Sequence, residues 1–425
     1  MNRMGGFEGT VAVPGDKSIS HRAVILASLA NGKSRIRNFL PAEDTRRTVA
    51  MMRALGVPIE EAGPAELRIE GVGLRGLSEP EDVLDAGNSG TTIRIGSGLL
   101  AAQPFLSIVT GDRYLRKRPM GRIVEPLVRM GARIAGRRGD TLPPLCIRGG
   151  ALSGIRHEMP VASAQVKSAL LLAGLFAEST VTVVEPLPSR DHTERMLRAM
   201  GVPVRVEGGE ISVDPAESLS PLDLEVPGDL SAAAFFLALA AGSAGSVLRI
   251  PSVGVNPGRT GIVQVLRRMG AGVSFGSPRE RAGEPVADLV VEGKELAATT
   301  IEPEEVPSLI DEIPALCAAA AMAAGRTTIR GAAELRVKES DRIGAMTAAL
   351  TAMGVECGEF ADGLWIEGPA RIREGALCDS RGDHRIAMAV LTLAAAAGVP
   401  VRVTDTACIA TSFPGFETRL REVLR

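Results

Sequence analysis

One pattern recurs along this chain too regularly to be incidental: a helix ending in Leu/Met-Gly-Val/Ala that runs directly into a strand. It reads RALGVPI at 53–59, RMGARI at 129–134, RAMGVPV at 198–204, RRMGAGV at 267–273 and TAMGVEC at 351–357. Each copy is preceded by the same series of a small-residue turn, an apolar helix and a β-branched strand. Lys17 begins ISHRAVILASLANG, followed by RIRNF; Asn88 opens TTIRIGSGLLAAQ, followed by LSIVTG; Ser163 opens AQVKSALLLAGLFA, followed by TVTVVEP. Asp229 opens LSAAAFFLALAAG before SVLRIP, and Asp311 opens EIPALCAAAAMAAG before TTIRG. A last copy starts near Asp383 with HRIAMAVLTLAAAAG, VRVTD and PGFETRLREVL. The units follow one another at roughly 65–85 residues, too long for solenoid repeats and the size of small α/β subdomains. Six units divide most simply as three plus three, which predicts two similar α/β lobes. The tetrapeptide VPGD occurs at 13–16 and again at 226–229, and the second copy marks the crossing into the other lobe.

A length of 425 residues agrees with two domains. The net charge of −2 supplies no global field toward nucleic acid or an anionic membrane, so anion binding has to come from local clusters. Aromatics at 3% leave few rings for stacking on bases. Cys146, Cys317, Cys357, Cys378 and Cys408 are scattered, with no pair at metal-ligand spacing, and read as apolar residues of a reducing compartment. The N-terminal MNRMGGFEGTVAV lacks the apolar centre of a signal peptide, and runs such as AAAFFLALAAG are too short to span a bilayer. A cytoplasmic location is the expectation.

Where the repeats differ from one another, chemistry is expected. Lys17, Ser18 and Arg22 stand at the start of a helix, where cations oppose the helix dipole and an anionic ligand would compensate them. Arg22 follows Ser18 by four residues, so both share one face. DAGNSGTTIR at 85–94 is a glycine-hinged turn that exposes backbone N–H groups, and also a plausible cap. GDRYLRKRPMG at 111–121 gathers Arg113, Arg116, Lys117 and Arg118 around a single Tyr, a charge run of the kind that is usually a solvated face. SAQVK at 163–167 and SRDHTE at 189–194 place hydroxyl, amide and cation at helix starts. In ELRVKESDR at 334–342, Lys338, Glu339 and Arg342 are expected within one helical turn, with Lys338 and Arg342 on a shared face. Asp311 and Glu312 precede an apolar helix, where a carboxylate either caps the helix or, with a raised pKa, moves protons.

The ordered set PGDKSISHRA, GNSGTTIR, RKRPMG, SAQVKSALLLAG, SRDHTE, LRVKESDR and GDHRIAMA closely resembles the 5-enolpyruvylshikimate-3-phosphate synthase family, from Val13 to the TSFPGF near the C-terminus. The resemblance implies a two-lobed inside-out α/β barrel, three βαβαββ repeats to a lobe. It further implies that 14–226 form the first lobe, that 1–13 rejoin 227–425 in the second, and that the active site lies in the cleft between them. The implied reaction moves the enolpyruvyl group of phosphoenolpyruvate to the 5-hydroxyl of shikimate 3-phosphate, by addition and elimination through a tetrahedral intermediate. Lys17, Ser18, Arg22, Ser163, Ala164, Gln165, Ser189, Arg190, Asp311 and Lys338 would then bind shikimate 3-phosphate. Lys17, Gly90, Arg118, Gln165, Glu339, Arg342 and Arg385 would hold phosphoenolpyruvate. Asp311, Glu339, Lys17 and His384 would be the catalytic group. The resemblance implies a monomer with these two small-molecule substrates, without cofactor, metal or nucleic acid, and with glyphosate competing with phosphoenolpyruvate.

Two places depart from parts of the family, and a third keeps its usual residue. Where some members carry Lys before Thr-Phe-Pro, this chain has Thr411 in Ala410-Thr411-Ser412-Phe413-Pro414. Ser189-Arg190-Asp191-His192 replaces a Tyr-containing form, and Gly90 keeps the small residue that admits glyphosate. The rival reading within the fold is UDP-N-acetylglucosamine enolpyruvyl transferase, which has Lys-Asn where this chain has Lys17-Ser18 and a Cys in the loop corresponding to 111–121. A non-catalytic anion-binding relative would require losses among Lys17, Asp311, Glu339 and Arg342, all of which are present.

Overall fold

The repeat is visible in the backbone as one helix ending used five times. In a computed structural model that describes residues 5–424, Gly56, Gly131, Gly201, Gly270 and Gly354 all have φ between +85° and +119°. Residues 1–4 and 425, both assigned above to the second lobe, lie outside the described residues. Only glycine enters the left-handed region without steric cost, which explains its presence at every copy. The residue after each glycine donates its N–H five residues back, Val57 to Met52, Ala132 to Leu127, Val202 to Leu197, Ala271 to Leu266 and Val355 to Leu350. This closes the orphaned carbonyls of each helix and aims the chain into the next strand.

The chain divides into two compact units, one of Lys17–Val226 with Arg281–Glu284, the other of Met1–Asp16, Pro227–Glu280 and Pro285–Arg425. Each has its own apolar core.

In the first unit, strand Asp223–Glu225 runs parallel to Asn31–Arg37, which is antiparallel to Glu66–Val72, itself antiparallel to Ile59–Gly63. The same order recurs with Leu84–Asp85, Leu106–Thr110, Leu142–Arg148 and Arg133–Gly136. It recurs again with Arg156–Glu158, Val181–Val184, Glu210–Val213 and Val204–Glu207. Alternating burial along these strands leaves one face of each sheet toward the core. The inner helix of each repeat is buried almost all round: Lys17–Ser28, Gly90–Ala101 and Ala164–Gly174. The second helix of each repeat is amphipathic, as in Gly121–Met130, which buries Ile123, Val124, Leu127 and Met130.

The other unit has Glu8–Thr10, Val247–Gly254, Glu284–Glu292 and Gly272–Arg281 in one sheet and Thr300–Ile301, Gly325–Ile329, Gly363–Gly368 and Cys357–Phe360 in the next. Its last sheet pairs only Leu377–Asp379 with Arg402–Thr404. The inner helices Leu230–Gly242, Ile313–Met322 and His384–Ala397 pack on one another. The edge strands of the first and fourth repeats are thus exchanged: Glu8–Thr10 pairs with the strand after the fourth inner helix, Asp223–Glu225 with the strand after the first. Each of those strands is followed by one copy of VPGD. The two copies pair reciprocally, Asp16 N to Pro227 O at 2.8 Å and Asp229 N to Pro14 O at 2.9 Å. Buried Arg259 donates to Asp16 and, at 3.0 Å, to Asp229. No helix among the described residues is long and apolar enough to cross a membrane.

Close approach of two inner helices supplies a first test. A Cβ on Gly98 would stand 2.1 Å from the Ala169 carbonyl oxygen, so helices Gly90–Ala101 and Ala164–Gly174 touch backbone to backbone. Gly98→Ala is expected to destabilise the protein by about 1–3 kcal/mol through overpacking. An unchanged thermal midpoint would contradict this contact.

Candidate active site

In the unit built around Lys17–Val226, three helix N-termini carry the predicted residues. Lys17 opens its helix and donates to Asp44 Oδ2 at 3.0 Å. Arg22 is buried and joins three helices: Nε to Thr193 Oγ1 at 2.8 Å, Nη1 to the Ser18 carbonyl at 3.0 Å, and Nη2 to Ser168 Oγ at 2.8 Å and the Ala164 carbonyl at 3.5 Å. Its positive charge therefore underlies the first turns of both the Lys17 and the Ala164 helices, and reinforces their tendency to bind an anion. Ser163 caps the second of these by accepting from Val166 N. His21, between Ser18 and Arg22 in the quoted motif, turns inward to Thr48 Oγ1 at 2.7 Å. Burial first, then the charges of Lys17 and Arg22, hold its pKa well below the ordinary 6.5, so it is a neutral core histidine.

Gly90 begins its helix after the Ser89 cap. A Cβ there would lie 2.8 Å from Arg118 Nη1 and 2.9 Å from Arg94 Nη1, so the missing side chain is what admits two guanidinium groups. Gln165 is fixed at both ends, with Oε1 accepting from Arg94 at 2.7 Å and Nε2 donating to Thr91 Oγ1 at 2.9 Å. Of the basic run at 113–118, only Arg118 is buried; Arg113 lies over the Tyr114 ring at 4.7 Å.

Ser189 is set by a buried ion cluster. Lys167 donates to Glu185 Oε2 at 2.8 Å, Glu194 Oε1 at 2.7 Å and the Ser189 carbonyl at 3.4 Å. Glu185 in turn accepts from the Ser189 hydroxyl. Burial raises the Glu194 carboxyl above the usual range against the pull of Lys167. Arg190 follows Ser189 in the irregular segment before helix His192–Ala199.

The other unit gathers its charges on Arg342, which is 1% exposed at the side chain. Its Nε donates to Asp383 Oδ2 at 2.8 Å, Nη1 to Asp311 Oδ1 at 3.2 Å and Nη2 to Glu339 Oε2 at 2.6 Å. Burial opposes this charge, but Asp383, Glu339 and Asp311 outweigh it and raise the Arg342 pKa. Lys338 Nζ reaches Asp311 Oδ1 at 3.5 Å, and Arg385 Nη1 donates to the Asp311 carbonyl at 2.7 Å. His384 Nδ1 lies 3.3 Å from Thr411 Oγ1. Asp311 thus points its carboxylate at two cations, and the adjacent Glu312 occupies the cap position of helix Ile313–Met322 without a side-chain capping bond. Two carboxylates, Asp311 and Glu339, share one guanidinium.

One local expectation is overturned. Lys338 and Arg342 do not share a helical face, because the helix begins only at Arg342, after the Asp341 cap, and residues 338–341 are irregular. They meet at Asp311 instead. Sequence reasoning also left unassigned the residues that hold the others: Asp44 behind Lys17, Arg94 behind Gln165 and Asp383 behind Arg342. Arg94 and Asp383 stood inside motifs already singled out; Asp44 showed only as an acidic residue in a first helical turn.

Residues 2–420 match the family described as EPSP synthase (3-phosphoshikimate 1-carboxyvinyltransferase). The chain is 53% identical to the 3-phosphoshikimate 1-carboxyvinyltransferase of Desulforudis audaxviator, covering 98% of this chain and 97% of the relative. It is 50% identical to that of Alkaliphilus metalliredigens, over 100% and 99%. Among solved structures, EPSP synthase from Acinetobacter baumannii superposes with a TM-score of 0.86 at 44% identity, covering 99% of this chain and 97% of that one. The enolpyruvyl transferase NikO from Streptomyces tendae shares the fold, with a TM-score of 0.78 at 18% identity over 99% and 96%.

Proposed function

Because the chain belongs to the EPSP synthase (3-phosphoshikimate 1-carboxyvinyltransferase) family, we propose how its residues divide that family's reaction. The enzyme transfers the enolpyruvyl group of phosphoenolpyruvate to shikimate 3-phosphate. The 5-hydroxyl of shikimate 3-phosphate adds to C2 of phosphoenolpyruvate while C3 gains a proton; phosphate then leaves as C3 loses one. Asp311 serves the hydroxyl and Glu339 the C3 proton, each switching between acid and base over the two steps. Lys17, Ser18, Ser163, the backbone of Ala164, Gln165, Ser189, Arg190 and Lys338 hold shikimate 3-phosphate. Arg22 acts chiefly by orienting the two helix starts that face its phosphate. Arg118, Arg342, Arg385, Lys17 and Gln165 hold phosphoenolpyruvate, where planar guanidinium forks suit carboxylate and phosphate.

The observation that carries this reading is the joint grip of Arg342 on Asp311 and Glu339, at 3.2 and 2.6 Å. A cation so placed orients both carboxylates and lies where an anionic substrate would be drawn. Glu339→Gln tests it: hydrogen exchange between solvent and the methylene of phosphoenolpyruvate is expected to slow about a hundredfold. Exchange at the unmodified rate would remove Glu339 from this role.

Gly90→Ala addresses the phosphoenolpyruvate side. The added methyl must push Arg118 and Arg94 aside, so KM for phosphoenolpyruvate rises and inhibition by glyphosate weakens by about tenfold, the usual scale for one methyl in a tight pocket. Unchanged inhibition would contradict this placement of the donor site.

A further inference from the structure

Thr411 occupies the place where some relatives carry a lysine, and its hydrogen bonds give it a different task. Its hydroxyl has one proton, and that proton goes to the Cys408 carbonyl at 2.7 Å. Toward His384 Nδ1, 3.3 Å away, Thr411 Oγ1 can therefore only accept. An Nδ1–H satisfies this contact, and in a neutral ring that leaves the lone pair on Nε2.

Both partners are held firmly. His384 is the first residue of helix His384–Ala397, buried, directly after the Asp383 cap. Thr411 ends a short helical turn, and the next residues are anchored by Phe413, whose ring lies 6.0 Å from Phe236 and 5.4 Å from Phe416. His384 is flanked in the chain by Asp383, which grips Arg342, and by Arg385, which grips the Asp311 carbonyl. A fixed tautomer there sets what the ring offers to the reacting groups.

We propose that Thr411 is a positioning residue that locks His384 in the Nδ1–H tautomer and so presents Nε2 as a hydrogen-bond acceptor. This rests on the proposed function and on the catalytic role that the family resemblance implies for His384. It assigns Thr411 to orienting a catalytic side chain rather than to contacting phosphoenolpyruvate.

The test reads the tautomer directly, by nitrogen-15 NMR of the histidine rings in the full chain. The chain has four histidines, so a His384→Asn spectrum identifies the His384 signals by difference. At a pH where the ring is neutral, the unmodified protein is expected to show a protonated Nδ1 and an unprotonated Nε2. Thr411→Val removes the acceptor at nearly constant volume and should shift the population toward Nε2–H, with kcat about tenfold lower or more and KM for shikimate 3-phosphate little changed. Thr411→Ser should restore both the spectrum and kcat. A protonated Nε2 in the unmodified protein would overturn the proposal, as would a Thr411→Val spectrum that keeps the Nδ1–H tautomer. The spectrum needs no turnover, so failure of the enzymatic reading would show separately, as an unmodified protein that releases no phosphate.

Discussion

Asp311→Asn is expected to lower kcat about a thousandfold while KM for shikimate 3-phosphate moves by less than about threefold. The substitution is chosen for what it retains. Asn keeps an oxygen that can accept from Arg342 Nη1 and lie near Lys338 Nζ, the two contacts made by Asp311 Oδ1 at 3.2 and 3.5 Å. Its size is unchanged, and the Asp311 carbonyl still receives Arg385. What it loses is the ability to take or return a proton. A group acting only in the transition state lowers kcat and kcat/KM together, whereas a group that binds substrate equally in both states raises KM alone. Steady-state kinetics with each substrate varied in turn separates the two. Equal loss of substrate affinity and turnover would make Asp311 a binding residue and would leave the hydroxyl without its base.

Arg342→Lys is expected to damage both stability and activity. One ammonium cannot replace a fork that reaches Asp383, Asp311 and Glu339 through three nitrogens at once. Asp383 is fully buried, and an ammonium drawn to only one or two of the three carboxylates leaves buried charge poorly paired, which costs about 3–5 kcal/mol if the pair with Asp383 is broken. The same change releases Asp311 and Glu339 from their common anchor, and kcat/KM for phosphoenolpyruvate should fall about a thousandfold. Thermal or urea unfolding measures the first effect and initial rates the second. A variant that unfolds like the parent would mean that Arg342 is not the charge on which this cluster depends.

The repeat could be read from the chain because its signal is local and chemically constrained. A helix closed by a left-handed residue needs glycine at that position, so Gly56, Gly131, Gly201, Gly270 and Gly354 announce five helix ends without any knowledge of the fold. The inner helices were equally legible, since stretches such as Leu230–Gly242 are apolar on every side and nothing but full burial suits them. The exchange of edge strands was not legible from local pattern. Glu8–Thr10 and Asp223–Glu225 are three residues each, and which strand they join is decided by partners far along the chain.

The site divides in the same way. Cations at helix starts are anomalous against the dipole, which exposed Lys17 and Arg22. Acidic residues near helix starts are ordinary, which hid both Asp44 and Asp383. Asp383 is in fact both cap and anchor, since Oδ1 accepts from Arg385 N and Oδ2 from Arg342 Nε. The misplaced helix around Lys338 has a similar origin. Helical spacing was assumed through KESDR, yet Asp341 accepts from Gly344 N and starts the helix later.

The most direct test of the whole account is phosphate release from phosphoenolpyruvate by the purified chain, with shikimate 3-phosphate as acceptor and UDP-N-acetylglucosamine in parallel. Release is expected with shikimate 3-phosphate alone, matched by formation of the enolpyruvyl product. Release driven by UDP-N-acetylglucosamine, or by neither acceptor, would contradict it.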